Sequence, residues 1–264
     1  WSAILIGAVL GFGFVLVPVI YLPWSFAVIV AAAVVIAVDE FRRALPHRGI
    51  ALTSGPVLVT AGLLPLVAYW RGTLDLLALF AVGVVVTILT RLRSGPTGFL
   101  ADTAASVFVL AYVPFMASFA LLMLAESNGA ARVIIFVLLT VCSDVGGFAT
   151  GVLFGRHPMA PALSPKKSWE GFAGSLIAQA IAGIALFEWV LHAPWWQGLI
   201  MGLVMTISAT GGDFAESAIK RDLGIKDMSS LLPGHGGMMD RLDSILPNAV
   251  VAWVLFQIFL GPGL

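Results

Sequence analysis

Long apolar runs separated by short polar connections make up almost the whole chain. Crossing a bilayer as a helix takes about 20 mainly apolar residues, and nine runs approach this length. The predicted spans are residues 2–21, 24–38, 51–70, 74–90, 103–125, 133–154, 171–192, 195–210 and 246–260. The second, eighth and ninth are short, so tilted or partly re-entrant segments are alternatives there. The pattern predicts an all-α fold, a polytopic transmembrane helical bundle of about nine spans.

Composition agrees with this prediction. Of the 264 residues, 60% are hydrophobic and 11% are charged, whereas a soluble domain carries about 25% charged residues. The chain therefore has too little polar surface to face water, and we expect the lipid bilayer to be its solvent. The zero net charge argues against a nucleic-acid partner bound by bulk electrostatics.

The basic residues predict the orientation of the spans. Twelve of the fourteen Lys and Arg residues fall on alternate connections, and only Arg71 and Arg132 fall on the others. The positive-inside rule makes the basic side cytoplasmic, so we expect a multi-pass protein of the cell inner (plasma) membrane. Within the connection after span two, Asp39 and Glu40 are interpreted as part of a solvated surface turn.

The connection between spans eight and nine, residues 211–245, is too charged and too long to be a simple linker. Carboxylate oxygens suit Mg²⁺, which also takes substrate phosphates and waters as ligands. Lysine and arginine can neutralise the remaining phosphate oxygens. The stretch therefore predicts a polyphosphate and metal site at the membrane surface. Its charged residues are Asp213, Glu216, Lys220, Arg221, Asp222, Lys226, Asp227, Asp240, Arg241 and Asp243.

Spacing places several of these charges on shared helix faces. Asp213, Glu216 and Lys220 would share one face of a helix that continues from span eight. Asp240 and Asp243 are three residues apart and are predicted to begin the helix that leads into span nine.

A glycine-rich turn comes just before that second helix. Residues 233–237 read Pro-Gly-His-Gly-Gly, which favours a turn over a helix. Such a turn at the start of a helix offers backbone N–H groups to a phosphate. The simpler alternative is a solvated charged loop with a glycine turn.

The run Ser164-Pro-Lys-Lys-Ser-Trp-Glu-Gly171 leads into span seven. Paired lysines with hydroxyls at a helix start form an anion site. The alternative is positive-inside flanking, with Ser168 as a helix cap.

Asp144 lies within the predicted sixth span, where an ionisable residue is costly and therefore points to function. Gly147, Gly151 and Gly155 follow it at four-residue intervals, which predicts a face for close helix packing. Such faces permit a homodimer, but they equally suit packing within one chain.

These segments together resemble the phosphatidate cytidylyltransferases, also called CDP-diacylglycerol synthases. The resemblance rests on Ser217-Ala-Ile-Lys220-Arg221, Lys226-Asp227, Pro233-Gly-His235-Gly-Gly and Asp240-Arg241-Leu-Asp243. The lysine run and the Asp144 segment resemble other blocks of that family. The resemblance covers roughly residues 142–244.

The resemblance implies the conversion of CTP and phosphatidic acid to CDP-diacylglycerol and pyrophosphate, in phospholipid biosynthesis. It implies Mg²⁺, with a second metal ion in a paired site. Asp213 and Asp240 would be metal ligands, with Asp144 as a further ligand or neighbour of the metal. Catalytic roles would fall to Asp213, Asp240, Lys220 and Lys167. Residues that would bind CTP and its phosphates are Ser164, Lys166, Lys167, Ser217, Lys220, Arg221, Lys226, Asp227 and His235.

We therefore expect two regions. Residues 1–132 would be a scaffold of transmembrane helices that gives lipid access, and residues 133–264 would be a catalytic region with cytoplasmic loops 155–170 and 211–246. One alternative is a related CTP-using membrane enzyme that acts on another lipid phosphate or a lipid alcohol. The other is a membrane transporter. The distribution of charge argues against a transporter, because the charges collect at one membrane face instead of running through the spans.

Overall fold

The computed structural model describes residues 16–229, 231 and 236–261, and these residues are almost entirely helical. A helical segment at residues 16–21 precedes the first long helix. The helices are α1 Pro23–Ala44, α2 Ser54–Leu92, α3 Phe99–Leu110, α4 Met116–Leu124, α5 Gly129–Phe154, α6 Trp169–Trp189, α7 Trp195–Leu223, α8 Met239–Leu242 and α9 Ile245–Leu260. A 3-10 turn, Leu45–Arg48, extends α1, and a π-helical turn, Ala111–Phe115, joins α3 to α4. The strands β1 Pro158–Ala160 and β2 Ser164–Ser168 form an antiparallel pair.

The long helix α2 is a hairpin of two helices that folds back at Gly72. The backbone of Gly72 has φ 81° and ψ −168°, which no helix contains and which glycine tolerates because it lacks a Cβ. Thr60 contacts Gly83 so closely that a Cβ on Gly83 would clash with the threonine side chain. These residues lie on opposite arms, so the third and fourth predicted spans are both present, with Trp70 at the tip.

Within the described residues, seven helices, the α2 hairpin among them, are long and apolar enough to cross a membrane. The all-α prediction is confirmed, with the two short strands as its exception. The predicted spans from the second to the ninth each correspond to helix in the structure. The first predicted span, 2–21, lies mostly outside the described residues, so the total of nine stays a prediction.

The four basic connections meet on one side of the molecule. The backbone N–H of Ala51 donates to Asp102, 2.8 Å away, which joins the connection before α2 to the first turn of α3, directly after the next connection. Arg48 pairs with Asp222 at 3.4 Å, and the Lys167 ammonium pairs with Asp213. The grouping of charges that the alternation predicted is therefore real in three dimensions.

Small residues bring α5, α6 and α7 into close contact. Gly147 faces Ser175, and Gly151 lies against Gly171, as the predicted glycine face requires. Gly183 and Gly198 contact each other so closely that a Cβ on either would clash with the carbonyl oxygen of the other. This three-helix unit carries Asp144 on α5 and Asp213, Glu216 and Lys220 on α7.

Candidate active site

A cavity of about 220 Å³ opens at the basic end of α5, α6 and α7. Its charged lining residues are Asp144 from α5, Lys166 and Lys167 from β2, and Asp213 from α7. Two carboxylates and two adjacent lysines, from three separate parts of the sequence, therefore share one space. This is the first site at which the structure brings predicted residues together.

The β-hairpin places the two lysines in this cavity. Pairing of Pro158 with Ser168 and of Ala160 with Ser164 directs β2 into the start of α6. Ser168 caps α6, since its hydroxyl accepts a hydrogen bond of 3.1 Å from the N–H of Gly171, so the cap interpretation is confirmed. Lys167 contacts Asp213 and lies 5.1 Å from the centre of the Phe214 ring.

A second charged cluster surrounds Lys220 on α7. Its ammonium group donates to Glu216 at 2.5 Å and to Asp240 at 2.7 Å. The first contact confirms that Glu216 and Lys220 share a helix face. The other oxygen of Asp240 accepts from the N–H groups of Gly237 at 2.7 Å and Met228 at 3.1 Å. Asp240 thus ties the connection after α7 to the helix itself.

The two clusters adjoin through the acids between them. Asp243 interacts electrostatically with Asp213 and Glu216. This closeness depends on Gly212, because a Cβ there would clash with the carbonyl oxygen of Asp243. Asp144 in turn interacts with Asp213. The carboxylates of the two clusters are therefore close enough to influence each other's charge.

The carboxylates of the cavity are possible donors to a cation. Among the described residues, no group of three or more His, Cys, Asp or Glu side chains has the arrangement of a metal site. Asp144 and Asp213 nevertheless line the same cavity, and Mg²⁺ usually needs only one or two protein carboxylates beside substrate phosphates and water. These two residues fit Mg²⁺. Asp240 lies outside the cavity lining, and both its oxygens already accept hydrogen bonds.

The other predicted binding residues are more dispersed. Ser164 on β2 and Ser217 on α7 are half-buried, and neither is part of the cavity lining. Arg221, Lys226 and Asp227 are exposed near the end of α7 and just after it. His235 lies outside the described residues, so its role stays a prediction.

The interpretation of Glu40 as part of a solvated turn is wrong. The Glu40 side chain is buried, with 3% of its surface exposed. It accepts hydrogen bonds from the Ser229 hydroxyl and from the N–H groups of Met238 and Met239. Sequence reasoning missed it because an acid next to Asp39 and two arginines has the pattern of a surface turn. Its position opposite residue 238 is a tertiary contact without a local signal.

Comparison with known proteins agrees with this geometry. The sequence model of the cytidylyltransferase family matches residues 1–259 of this chain. The chain belongs to the cytidylyltransferase family. It is therefore a nucleotidyltransferase, and its long apolar helices are those of a membrane protein.

Relatives with different levels of sequence identity to this chain share one name. A phosphatidate cytidylyltransferase of Mycobacterium leprae is 40% identical over 97% of this chain and 87% of its own length. One of Staphylococcus saprophyticus is 33% identical over 67% of both chains. The chloroplastic phosphatidate cytidylyltransferase 4 of Arabidopsis thaliana is 30% identical over 87% of this chain and 66% of its own length.

Proposed function

We propose that this cytidylyltransferase family member transfers the cytidylyl group of CTP to phosphatidic acid, giving CDP-diacylglycerol and pyrophosphate. The observation that carries the proposal is the cavity in which Asp144 and Asp213 face Lys166 and Lys167 at one end of a membrane bundle. Mixed charge of this kind suits a nucleoside triphosphate, and the position of the cavity at the end of the bundle suits a lipid headgroup. The activity carried by the relatives' names supports the same reaction.

In this reaction a phosphate oxygen of phosphatidic acid attacks the α-phosphorus of CTP. The new P–O bond forms as the bond from the α-phosphorus to the bridging oxygen breaks, and pyrophosphate leaves with that electron pair. Phosphatidic acid already carries an anionic nucleophile, so no strong general base is needed. Catalysis then depends mainly on positioning and on electrostatic stabilisation of the leaving group.

The charged residues would divide this work. Lys166 and Lys167 would hold the phosphates of CTP and offset the charge that develops on pyrophosphate. Asp144 and Asp213 would hold Mg²⁺, which supplies Lewis-acid stabilisation of phosphate oxygens when bound. Lys167 pairs with Asp213 in the structure, which places its ammonium group beside the carboxylates that would hold Mg²⁺.

The lipid would reach the cavity sideways from the bilayer. Phe148, which lines the cavity, is 71% exposed, and Trp169 at the start of α6 is 55% exposed. These apolar side chains suit contact with acyl chains while the phosphate lies at headgroup depth. By the positive-inside rule, the leaflet would be the cytoplasmic one of the plasma membrane.

Radiolabelled CTP tests the proposal directly. The purified full chain in detergent, with Mg²⁺ and phosphatidic acid, is expected to move the cytidine label into a lipid-soluble CDP product and to release pyrophosphate. If the label moves only onto a different lipid phosphate, the proposed acceptor is wrong but the reaction class stands. Absence of labelled lipid with any lipid phosphate, together with ion flux in vesicles, would favour a transporter.

Substitution of Lys167 by Ala is expected to raise the CTP concentration needed for half-maximal rate about tenfold, because one charge-assisted phosphate contact is lost. The measurement is the initial rate as a function of CTP at saturating phosphatidic acid. Arg93→Ala is the control, since Arg93 lies on the same side of the bundle but outside the cavity lining. An unchanged CTP profile in Lys167→Ala would contradict the phosphate role.

A further inference from the structure

Glu40 on α1 has an environment unlike that of a surface acid. One carboxylate oxygen accepts from the Ser229 hydroxyl at 2.6 Å and from the Met238 N–H at 2.8 Å. The other accepts from the Met239 N–H at 2.8 Å. Burying a carboxylate is unfavourable unless hydrogen bonds compensate it, and these three donors do so. Two of the three come from the segment that connects α7 to α8, and the third, Met239, is the first residue of α8.

The neighbouring acid Asp39 has a different set of partners. It forms ion pairs of 2.6 Å with Arg42 and Arg43, whose side chains are 41% and 71% exposed. Asp39 thus stabilises the end of its own helix, whereas Glu40 reaches a segment that is almost 200 residues away in sequence. The contrast between adjacent residues shows that the Glu40 contacts depend on its place in the tertiary structure.

Glu40 and Asp240 hold this segment together by interleaved contacts. Glu40 accepts from residues 229, 238 and 239, while Asp240 accepts from the N–H groups of Met228 and Gly237. A Cβ on Gly237 would lie 2.6 Å from a Glu40 oxygen, and a Cβ on Gly236 would lie 2.9 Å from an Asp240 oxygen. The glycine pair is therefore required where two carboxylates approach the backbone.

We propose that Glu40 is a positioning residue for cytidylyl transfer. By accepting hydrogen bonds from Ser229 and from Met238 and Met239, it sets the position of Asp240. Asp240 directly follows Met239, which donates to Glu40, and Asp240 receives the Lys220 ammonium at 2.7 Å. A shift at Met238 and Met239 therefore moves the Asp240–Lys220 pair. The inference rests on the proposed function and gives the N-terminal helices a part in the chemistry.

Glu40→Gln is the decisive variant because it keeps the shape of the side chain but replaces one acceptor oxygen by a donor. The kcat is expected to fall about 100-fold, the effect of a small misplacement of reacting groups. The KM for CTP is expected to change less than about threefold, since the lysines of β2 do not touch Glu40. Asp39→Asn, the same change of charge one residue earlier, is expected to keep wild-type kcat and KM.

Hydrogen exchange of the full chain in detergent gives a readout independent of turnover. Glu40→Gln is expected to speed exchange at the amides of Met238 and Met239 and to leave the amides of α9 unchanged. Ser229→Ala, which removes one of the three donors, covers the case in which Glu40→Gln fails to fold. It is expected to lower kcat about tenfold, as the loss of one hydrogen bond to a charged group would.

Unchanged exchange at Met238 and Met239 in Glu40→Gln would overturn the positioning role, as would a wild-type kcat in Ser229→Ala. Parallel loss of kcat and rise of KM in every variant would also overturn it, because that is the result of general unfolding. Faster exchange in a protein whose wild type transfers no cytidylyl group would instead contradict the proposed function, while the contact between Glu40 and the segment would stand.

Discussion

Asp213→Asn is expected to lower cytidylyl transfer about 1000-fold, the upper range for removing one electrostatic contributor to a transition state. Asp213 lines the same cavity as Asp144, and it pairs with Lys167 and interacts electrostatically with Asp243. Asparagine keeps the shape but removes the charge that would hold Mg²⁺ and orient Lys167. The variant should still insert into the membrane, because the cavity is open and no apolar contact is lost.

The measurement is kcat at saturating CTP and phosphatidic acid, over a titration of Mg²⁺. Asp222→Asn is the matched control on the same helix: Asp222 is 77% exposed at its side chain and pairs with Arg48 away from the cavity. Wild-type turnover is expected there. Near-normal activity of Asp213→Asn at saturating Mg²⁺ would remove Asp213 from the metal site.

The second large effect concerns stability. Lys220→Met is expected to lower the free energy of unfolding by about 3–5 kcal/mol, the range for breaking a buried ion pair by removing one partner. The side chains of Glu216 and Asp240 are 1% and 8% exposed, so two carboxylates would lose their shared cation. Denaturant unfolding in mixed micelles measures the change.

Two further variants separate this cause from simple loss of a lysine. Lys226→Met removes an exposed lysine nearby and is expected to leave stability within about 0.5 kcal/mol of wild type. The double variant Glu216→Gln with Lys220→Met should recover part of the loss, because one of the two unpaired charges is gone. Equal stability of Lys220→Met and wild type would show that the carboxylates do not depend on Lys220.

Most of the helical architecture could be predicted from local sequence. Each predicted span from the second onward is helical in the structure, since apolar runs in a bilayer must satisfy their backbone hydrogen bonds internally. The fold-back between the third and fourth spans coincides with Gly72, which lies beside Arg71 in the gap between the two predicted apolar runs. The short β-hairpin before α6 was not predicted, because Lys-Lys and Ser-Pro have the composition of a loop.

The candidate site was predicted in part. Asp144, Lys166, Lys167 and Asp213 were each selected from sequence, and the structure joins them in one cavity. Asp240 was selected as well, but its contacts with Lys220, Met228 and Gly237 place it in the neighbouring cluster. Which residues touch Mg²⁺ or CTP stays a prediction for the variants above.

The sequence by itself determined the membrane-spanning character, the division of charge between the two sides and the candidate residues for the chemistry. These properties depend on hydropathy, charge alternation and short-range spacing, all of which are local. Only the tertiary structure decided that Lys167 faces Asp213, that Gly212 lets Asp243 approach, and that Glu40 holds residues 229, 238 and 239. Such contacts join positions distant in sequence, and side-chain packing between helices sets them, so no local pattern contains them.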